Sequence, residues 1–261
     1  MIRLCTRACV VIFCLVAALS AYADDFKGFY VGGNVGGVSG NTINASTTTV
    51  FSPTGYFATT SVPAIATAGA QKLSPSGFTG GGQAGFNLQH NAFVFGVETD
   101  FGSMNVSDKK SATATYPCCA PTAFTVTQFV GTSWLFTVRP RIGFTGGPVM
   151  VYGTGGLAVT NYEYTALFTD TFASAGEFGR KTSNQTGWTA GAGAEFRLNH
   201  RWSLKGEYLR ASFGGATTIT STNLKAFTPP IAFPTNVFTH QVGDLGGMNI
   251  FRFGFNYRFG L

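Results

Sequence analysis

Hydrophobic residues alternate with small or polar residues in eight separate segments of about ten residues each. Successive side chains of a β-strand point to opposite faces, so each segment predicts a strand with one apolar and one polar face. Beyond the N-terminal run described below, no segment approaches the 18 apolar residues of a membrane-spanning helix. The predicted strands lie around Phe29–Val38, Phe78–Leu88, Phe93–Phe101, Trp134–Phe144, Val149–Val159, Trp188–Leu198, Trp202–Tyr208 and Phe251–Phe259.

The connections between these segments alternate in length. Long segments follow the first, third, fifth and seventh predicted strands, at 39–76, 106–130, 161–185 and 214–246. Short turns follow the second, fourth and sixth, near 89–91, 145–148 and 199–201. Outer-membrane barrels are connected in this way, with short turns in the periplasm and long loops outside the cell. The pattern therefore predicts an all-β fold, an eight-stranded antiparallel transmembrane β-barrel with long extracellular loops and short periplasmic turns.

Charged residues inside the predicted strands share one face, the one opposite the large hydrophobic residues. This placement is expected if the apolar face contacts lipid and the other face lines the barrel interior. Lys27 and Arg210 are out of phase, but both lie near strand ends, where long basic side chains reach an interface. We therefore predict a cluster of lumen charges formed by Glu98, Asp100, Arg139, Arg141, Glu195, Arg197, Lys205, Glu207, Arg252 and Arg258.

The N-terminus has the three parts of a secretory signal peptide. Two arginines open it, the apolar run Ala8–Leu19 follows, and Ala21 and Ala23 form an A-x-A cleavage site. The run is shorter than the roughly 20 apolar residues that cross a membrane. We predict that residues 1–23 are removed on export and that residues 24–261 form a single barrel domain.

The composition argues against both a disordered chain and a cytosolic helical enzyme. Charged residues make up 11% of the chain, against about a quarter in soluble domains. The 26 phenylalanines and 35 glycines also argue against disorder, which goes with few aromatic residues and many charges. Beyond the signal peptide only the adjacent Cys118 and Cys119 remain, and the sequence leaves open whether they form a disulfide or stay as free thiols.

No motif predicts catalysis, a metal site or a cofactor. His90 and His200 lie in short turns, and His240 lies in the fourth long segment near Asp244, without partners that the sequence can place. No Cys/His cluster has metal-ligand spacing. The GxGxxG run at Gly80–Gly85 alternates like a strand and no helix follows it, so it does not predict a dinucleotide site. The small, dispersed positive charge argues against nucleic-acid binding, and we expect a non-enzymatic protein.

Several strands resemble those of the opacity-type small outer-membrane proteins. The opening run at 26–34 resembles their first strand, and 152–158 and 202–208 resemble their fifth and seventh. The C-terminal run resembles the signal read by the barrel assembly machinery, carried by Arg252, Gly254, Tyr257 and Phe259 and followed here by two more residues. The resemblance implies an integral protein of the outer membrane of a Gram-negative bacterium. Its implied partners are that machinery, outer-membrane lipid and lipopolysaccharide.

The function of the lumen and of the long segments stays open at this level. An eight-stranded barrel is just wide enough for side chains to fill its interior, which favours a lumen closed by paired charges and a structural, surface-exposed envelope protein. The first alternative is a low-conductance porin with a narrow charged lumen. The second is a loop-mediated adhesin, since long loops on a rigid scaffold often carry function.

Overall fold

The computed structural model describes residues 26–259, which form two β-sheets and one helix. The predicted signal peptide, with Ala21 and Ala23, and residues 260–261 lie outside the described residues. No helix within 26–259 is long and apolar enough to cross a membrane. In chain order the elements are β1 (Gly28–Gly40), β2 (Ile43–Thr49), α1 (Ser61–Gly69), β3 (Gln71–Leu73), β4 (Ser76–His90), β5 (Phe93–Thr115), β6 (Ala123–Gly146), β7 (Val149–Asp170), β8 (Gly176–Arg197), β9 (Trp202–Phe213), β10 (Thr217–Ser221), β11 (Lys225–Ala226), β12 (Ile231–Ala232), β13 (Phe238–Val242) and β14 (Met248–Arg258).

Eight of the strands close into a barrel in the order β1, β4, β5, β6, β7, β8, β9 and β14. Each pairs antiparallel with its neighbour, and β14 closes the ring against β1 from Tyr30–Arg258 to Gly40–Met248. The predicted fold class is therefore confirmed. Short turns join β4 to β5, β6 to β7 and β8 to β9 at one end of the barrel. Asn91 (φ 53°) and Gly147 (φ 61°) reverse the chain in two of them, in the left-handed conformation that Asn and Gly tolerate best.

The outer face of the barrel is apolar. Phe78, Phe253 and Leu157 are 79%, 74% and 64% exposed, whereas Arg252 and Arg258, which alternate with the outward residues of β14, are buried. A continuous apolar surface of this kind is stable in contact with lipid rather than with water. Trp188 and Trp202 also point outward, Trp188 toward the end with long connections and Trp202 beside the short turns.

Four barrel strands continue well beyond the length that a membrane requires. Strands β5 to β8 have 22 to 24 residues, whereas about 9–11 residues cross a bilayer. The predicted connections at 106–130 and 161–185 were therefore wrong in their bounds, because most of both ranges is paired strand. The outward residues there are mostly polar, as in the bonded pairs Ser111–Thr127 and Thr113–Thr125. The apolar residues of these extensions point inward instead, so the lipid-facing apolar residues stop before the strands do.

The other two long segments fold onto the inner face of these extensions. They contribute α1 and a second antiparallel sheet in the order β10, β13, β2 and β3. We call this sheet, α1 and the extended ends of β5 to β8 the cap. Its core contains a cluster of aromatic side chains, with Phe57, Phe168 and Phe238 in mutual contact at ring distances of 5.2 to 5.7 Å. The expected long connections thus form a folded layer over one mouth of the barrel.

Candidate functional site: the barrel lumen

Arg139 on β6 lies at the centre of a buried charge network in the lumen. Its Nη2 donates to Glu98 at 2.7 Å and to Asp100 at 2.8 Å, and its Nη1 donates to Glu207 at 3.2 Å. Glu98 and Arg139 are directly opposite each other in the pairing of β5 with β6. Arg139 is 0% exposed. One buried cation is therefore held by three carboxylates from two other strands.

Two further cations contribute from the wall opposite β5 and β6. Arg252 on β14 donates to Glu207 at 2.7 Å and to Asp100 at 3.0 Å. Lys205 on β9 lies 2.7 Å from Glu98 on β5. Because β5 and β9 are on opposite sides of the eight-stranded ring, this last contact spans the full width of the interior.

A lower group of charges lies nearer the short turns. Arg141 and Arg258 contact the two oxygens of Glu195 at 3.3 and 3.1 Å. The guanidinium groups of Arg197 and Arg258 lie 5.6 and 5.0 Å from the centre of the Phe26 ring, within cation–π range. The structure thus gathers the predicted lumen charges in one buried region of the barrel.

Neutral polar side chains complete the network, and we assigned them no role from the sequence. The hydroxyl of Tyr30 donates to Glu98 at 2.7 Å, and that of Tyr152 donates to Glu207 at 3.0 Å. Asn87 accepts a hydrogen bond from Nε of Arg141 at 2.9 Å. All three side chains point into the lumen. They could be found from the sequence by noting every hydrogen-bonding residue on the inward face of each predicted strand. Buried ions need such additional partners, because ion pairing alone does not repay the loss of water.

Apolar layers close the lumen above and below the charges. Toward the cap, Met104, Leu135, Leu209 and Ile250 are buried in one continuous cluster. Toward the short turns, Phe26 packs in a second cluster with Val94, Met150 and Tyr152. An ion entering from either end would have to pass an apolar layer and then disrupt paired charges.

The predicted assembly signal lies on β14 and just after it. Arg252 points into the lumen, whereas Tyr257 and Phe259 lie near the short turns. Tyr257 contacts Trp202 at a ring distance of 5.1 Å, and Phe259 stacks on Phe29 at 5.6 Å. Gly254 lies against the β1 backbone, where a Cβ would be 2.9 Å from the carbonyl oxygen of Gly33. Recognition of these residues by the assembly machinery stays a prediction.

His240 has partners that the sequence did not indicate. Its Nδ1 lies 2.9 Å from the hydroxyl of Thr47 on β2, and its Nε2 lies 3.0 Å from Glu177 on β8. Asp244, its neighbour in sequence, is not one of these partners. Thr47 and His240 are 0% exposed and Glu177 is 2% exposed, so the three residues connect the cap sheet to β8 inside the cap.

The structure also describes the two adjacent cysteines and the side chains that could bind a metal ion. Cys118 and Cys119 are joined as a vicinal disulfide in the connection between β5 and β6. Across residues 26–259, no group of three or more His, Cys, Asp or Glu side chains is placed to hold a metal ion.

Known proteins provide an independent comparison. A family model described as "Outer membrane protein beta-barrel domain" matches residues 8–259. The "31 kDa outer-membrane immunogenic protein" of Brucella melitensis is 38% identical over 148 residues, which are 56% of this chain and 58% of that protein. The "22 kDa outer membrane protein" of Rhizobium leguminosarum is 28% identical over 132 residues, 51% of each chain. The chain thus spans less than two thirds of the length of the curated relatives it matches.

Among solved structures, the outer membrane protein OprG of Pseudomonas aeruginosa is similar over 89% of this chain and 98% of its own, at 11% identity and a TM-score of 0.44. Neisserial surface protein A is similar over 89% and 97%, at 13% identity and a TM-score of 0.32. The match of the family model to almost the whole chain agrees with the closed ring of eight strands and its apolar outer face. The chain belongs to the outer membrane protein beta-barrel domain family and resides in the outer membrane of a Gram-negative bacterium.

Proposed function

We propose that this chain is a non-conducting, non-enzymatic barrel that anchors a folded cap at the cell surface. The proposal rests on the layered lumen, in which paired charges are enclosed between two apolar clusters. An open pore requires a continuous water-filled path, and small eight-stranded barrels have interiors that side chains can fill. The predicted closed lumen is therefore favoured over the low-conductance porin.

The cap supports the non-enzymatic part of the proposal. Thr47, His240 and Glu177 are the residues that most resemble a hydroxyl–histidine–carboxylate arrangement. A substrate has no access to them, because all three are buried in the cap core. A catalytic group must come within hydrogen-bonding reach of its substrate, so we assign these residues to cap structure.

Single-channel recording tests the closed lumen. Residues 24–261 are refolded, and insertion into a planar bilayer is verified by a mobility change on boiling and by protease protection. We expect no conductance steps from inserted protein. Reproducible steps whose ion selectivity changes in Arg139→Gln would overturn the proposal and establish the porin alternative.

The cap is also the part of the molecule available for contact with other molecules. It lies at the end opposite the short turns, which is the extracellular end in barrels of this kind. Relatives of this chain are named outer-membrane immunogenic proteins, which suits an exposed and folded surface. We expect antibodies raised against the folded protein to label intact cells. Labelling that appears only after the outer membrane is permeabilised would contradict this orientation.

A further inference from the structure

A small cavity lies at the outer tip of the cap, where the β5–β6 and β7–β8 connections meet. Its volume is about 130 Å³, and its walls include Tyr56, Phe57, Tyr116, Phe172 and the disulfide of Cys118 and Cys119. Phe57 and Tyr116 are buried, whereas Phe172 is 54% exposed and forms part of the rim. A cavity of about 150 Å³ holds benzene. This one therefore has room for a compact group of about five non-hydrogen atoms.

A carboxylate outside the cavity lining is bound by the hydroxyls of two tyrosines in its wall. Oδ2 of Asp170 accepts hydrogen bonds from the hydroxyls of Tyr56 at 2.5 Å and Tyr116 at 3.0 Å. Its Oδ1 accepts from the backbone N–H groups of Ala173 and Ala175 at 3.3 and 2.8 Å. All four of these donors to Asp170 are neutral. The negative charge at the cavity is thus solvated by neutral donors only.

The two tyrosines remain hydrogen-bond donors to this carboxylate. Burial raises the pKa of both Tyr56 and Tyr116, and the neighbouring Asp170 raises each pKa further. Both hydroxyls therefore stay protonated at physiological pH. Donation to a carboxylate shifts electron density onto the phenol ring, which strengthens the attraction between the ring face and a cation.

We propose that this cavity binds a quaternary ammonium head group. The methyl groups of such a cation pack against aromatic rings while its diffuse charge interacts with the ring faces. A metal ion or a primary ammonium needs direct oxygen ligands, but the oxygens of Asp170 already accept four hydrogen bonds. A neutral group of the same shape gains packing alone and leaves the charge of Asp170 unbalanced.

Ligand-observed NMR and calorimetry on the folded chain in a maltoside detergent test this site. The probes are choline chloride and 3,3-dimethyl-1-butanol, which replaces the charged nitrogen of choline with carbon. We expect saturable choline binding and about tenfold weaker binding of the uncharged isostere, the ratio to which 1.4 kcal/mol corresponds. Equal binding of the two probes, or no saturable choline binding, would overturn the proposal.

Matched variants localise the binding. Phe172→Ala removes one wall, and Phe178→Ala is its control, because Phe178 is 49% exposed and lies outside the cavity lining. We expect Phe172→Ala to weaken choline binding about three- to thirty-fold and Phe178→Ala to leave it unchanged. Asp170→Asn should reduce the preference for choline over its isostere. Unchanged choline affinity in folded Phe172→Ala would show that the cavity is not the site.

Phosphocholine separates two sources of the same head group. If it binds as tightly as choline, its phosphate lies outside the cavity and the site accepts a phosphocholine head group such as that of a lipid. If the added phosphate abolishes binding, repulsion by Asp170 selects a free ammonium compound. The proposed closed lumen is independent of both results, because the cavity is in the cap and not in the barrel interior.

Discussion

At the scale of single residues, the lumen depends on the balance of charge around Arg139. Removing an ion from water costs several kcal/mol, and only close pairing with further hydrogen bonds offsets this cost. Glu98, Asp100 and Glu207 are each within 3.2 Å of the Arg139 guanidinium. Without the Arg139 guanidinium, the three carboxylates would lie close together with less positive charge to offset their mutual repulsion.

We therefore expect Arg139→Gln to lower the free energy of unfolding by about 3–5 kcal/mol. Urea titration of the protein folded into lipid vesicles, followed by gel mobility without boiling, measures this change. Arg180→Gln is the control, because Arg180 is 57% exposed in its pair with Glu163, and such pairs contribute less than about 1 kcal/mol. Equal stability of native protein and Arg139→Gln would contradict a lumen filled by paired charges.

At the scale of elements, close contact between strands requires glycine at particular positions. Gly85 on β4 lies directly opposite Tyr30 on β1, and a Cβ at Gly85 would overlap the Tyr30 hydroxyl and ring. That hydroxyl donates to Glu98 at 2.7 Å, so the glycine maintains a lumen hydrogen bond from a neighbouring strand. Gly153 on β7 is different, because nothing lies within 4 Å of a Cβ built there.

This contrast gives a matched pair of substitutions. Gly85→Ala should destabilise the barrel by about 1–3 kcal/mol, the usual cost of overpacking. Gly153→Ala should be neutral or stabilising by up to about 1 kcal/mol, because alanine restricts the unfolded chain. The same urea titration measures both. The packing of Tyr30 on Gly85 is refuted if the two variants are equally stable.

The extension of β5 to β8 into the cap has a separate consequence. Lys109 pairs with Phe129, and Arg180 pairs with Thr165, both within ranges predicted as connections. Trypsin needs an unpaired, flexible backbone, so we expect little cleavage after either basic residue in the folded protein. Mass spectrometry of a limited digest measures this, with boiled protein as the control. Rapid cleavage at Lys109 would show that this region is a mobile loop.

At the scale of the whole molecule, the barrel and the cap are connected by continuous strands but differ in what maintains them. The barrel is closed by strand pairing around a full ring, including β1 with β14. The cap combines strand pairing with side-chain packing, to which α1 contributes Ile65 and the preceding segment contributes Phe57. Within the described part of the chain, no strand pair of the ring includes a residue from 51–70.

Replacement of residues 51–70 by a flexible Gly/Ser linker should therefore preserve the barrel. We expect the variant to keep its mobility change on boiling and to become sensitive to trypsin in the cap. Deletion of residues 76–90, the whole of β4, is the control and should abolish the mobility change, because it removes the strand that pairs with both β1 and β5. Failure of the 51–70 variant to fold would show that the barrel depends on the cap.

The sequence by itself determined the membrane barrel and the orientation of its side chains. Lipid on one face imposes a two-residue period, visible as Phe251, Phe253 and Phe255 alternating with Arg252, and every barrel strand repeats it within the membrane. Above the membrane the contrast on β6 and β7 is reversed, because water replaces lipid outside and the cap core lies inside, so that Tyr162, Tyr164 and Phe168 are buried between mostly polar outward residues. A search for apolar residues in the lipid-facing phase therefore did not show that these strands continue, nor that residues 39–76 and 214–246 form a second sheet.

Only the tertiary structure decided which side chains meet. Glu98 contacts Lys205 across the barrel over 107 residues, and His240 contacts Thr47 over 193 residues. The alternation of residues indicates that a side chain points inward. Its height in the barrel and the side chains it contacts depend on the strand register and on the closure of the ring. The cavity beside Asp170 arises in the same way, because two tyrosines from separate connections meet one carboxylate only when the cap is folded.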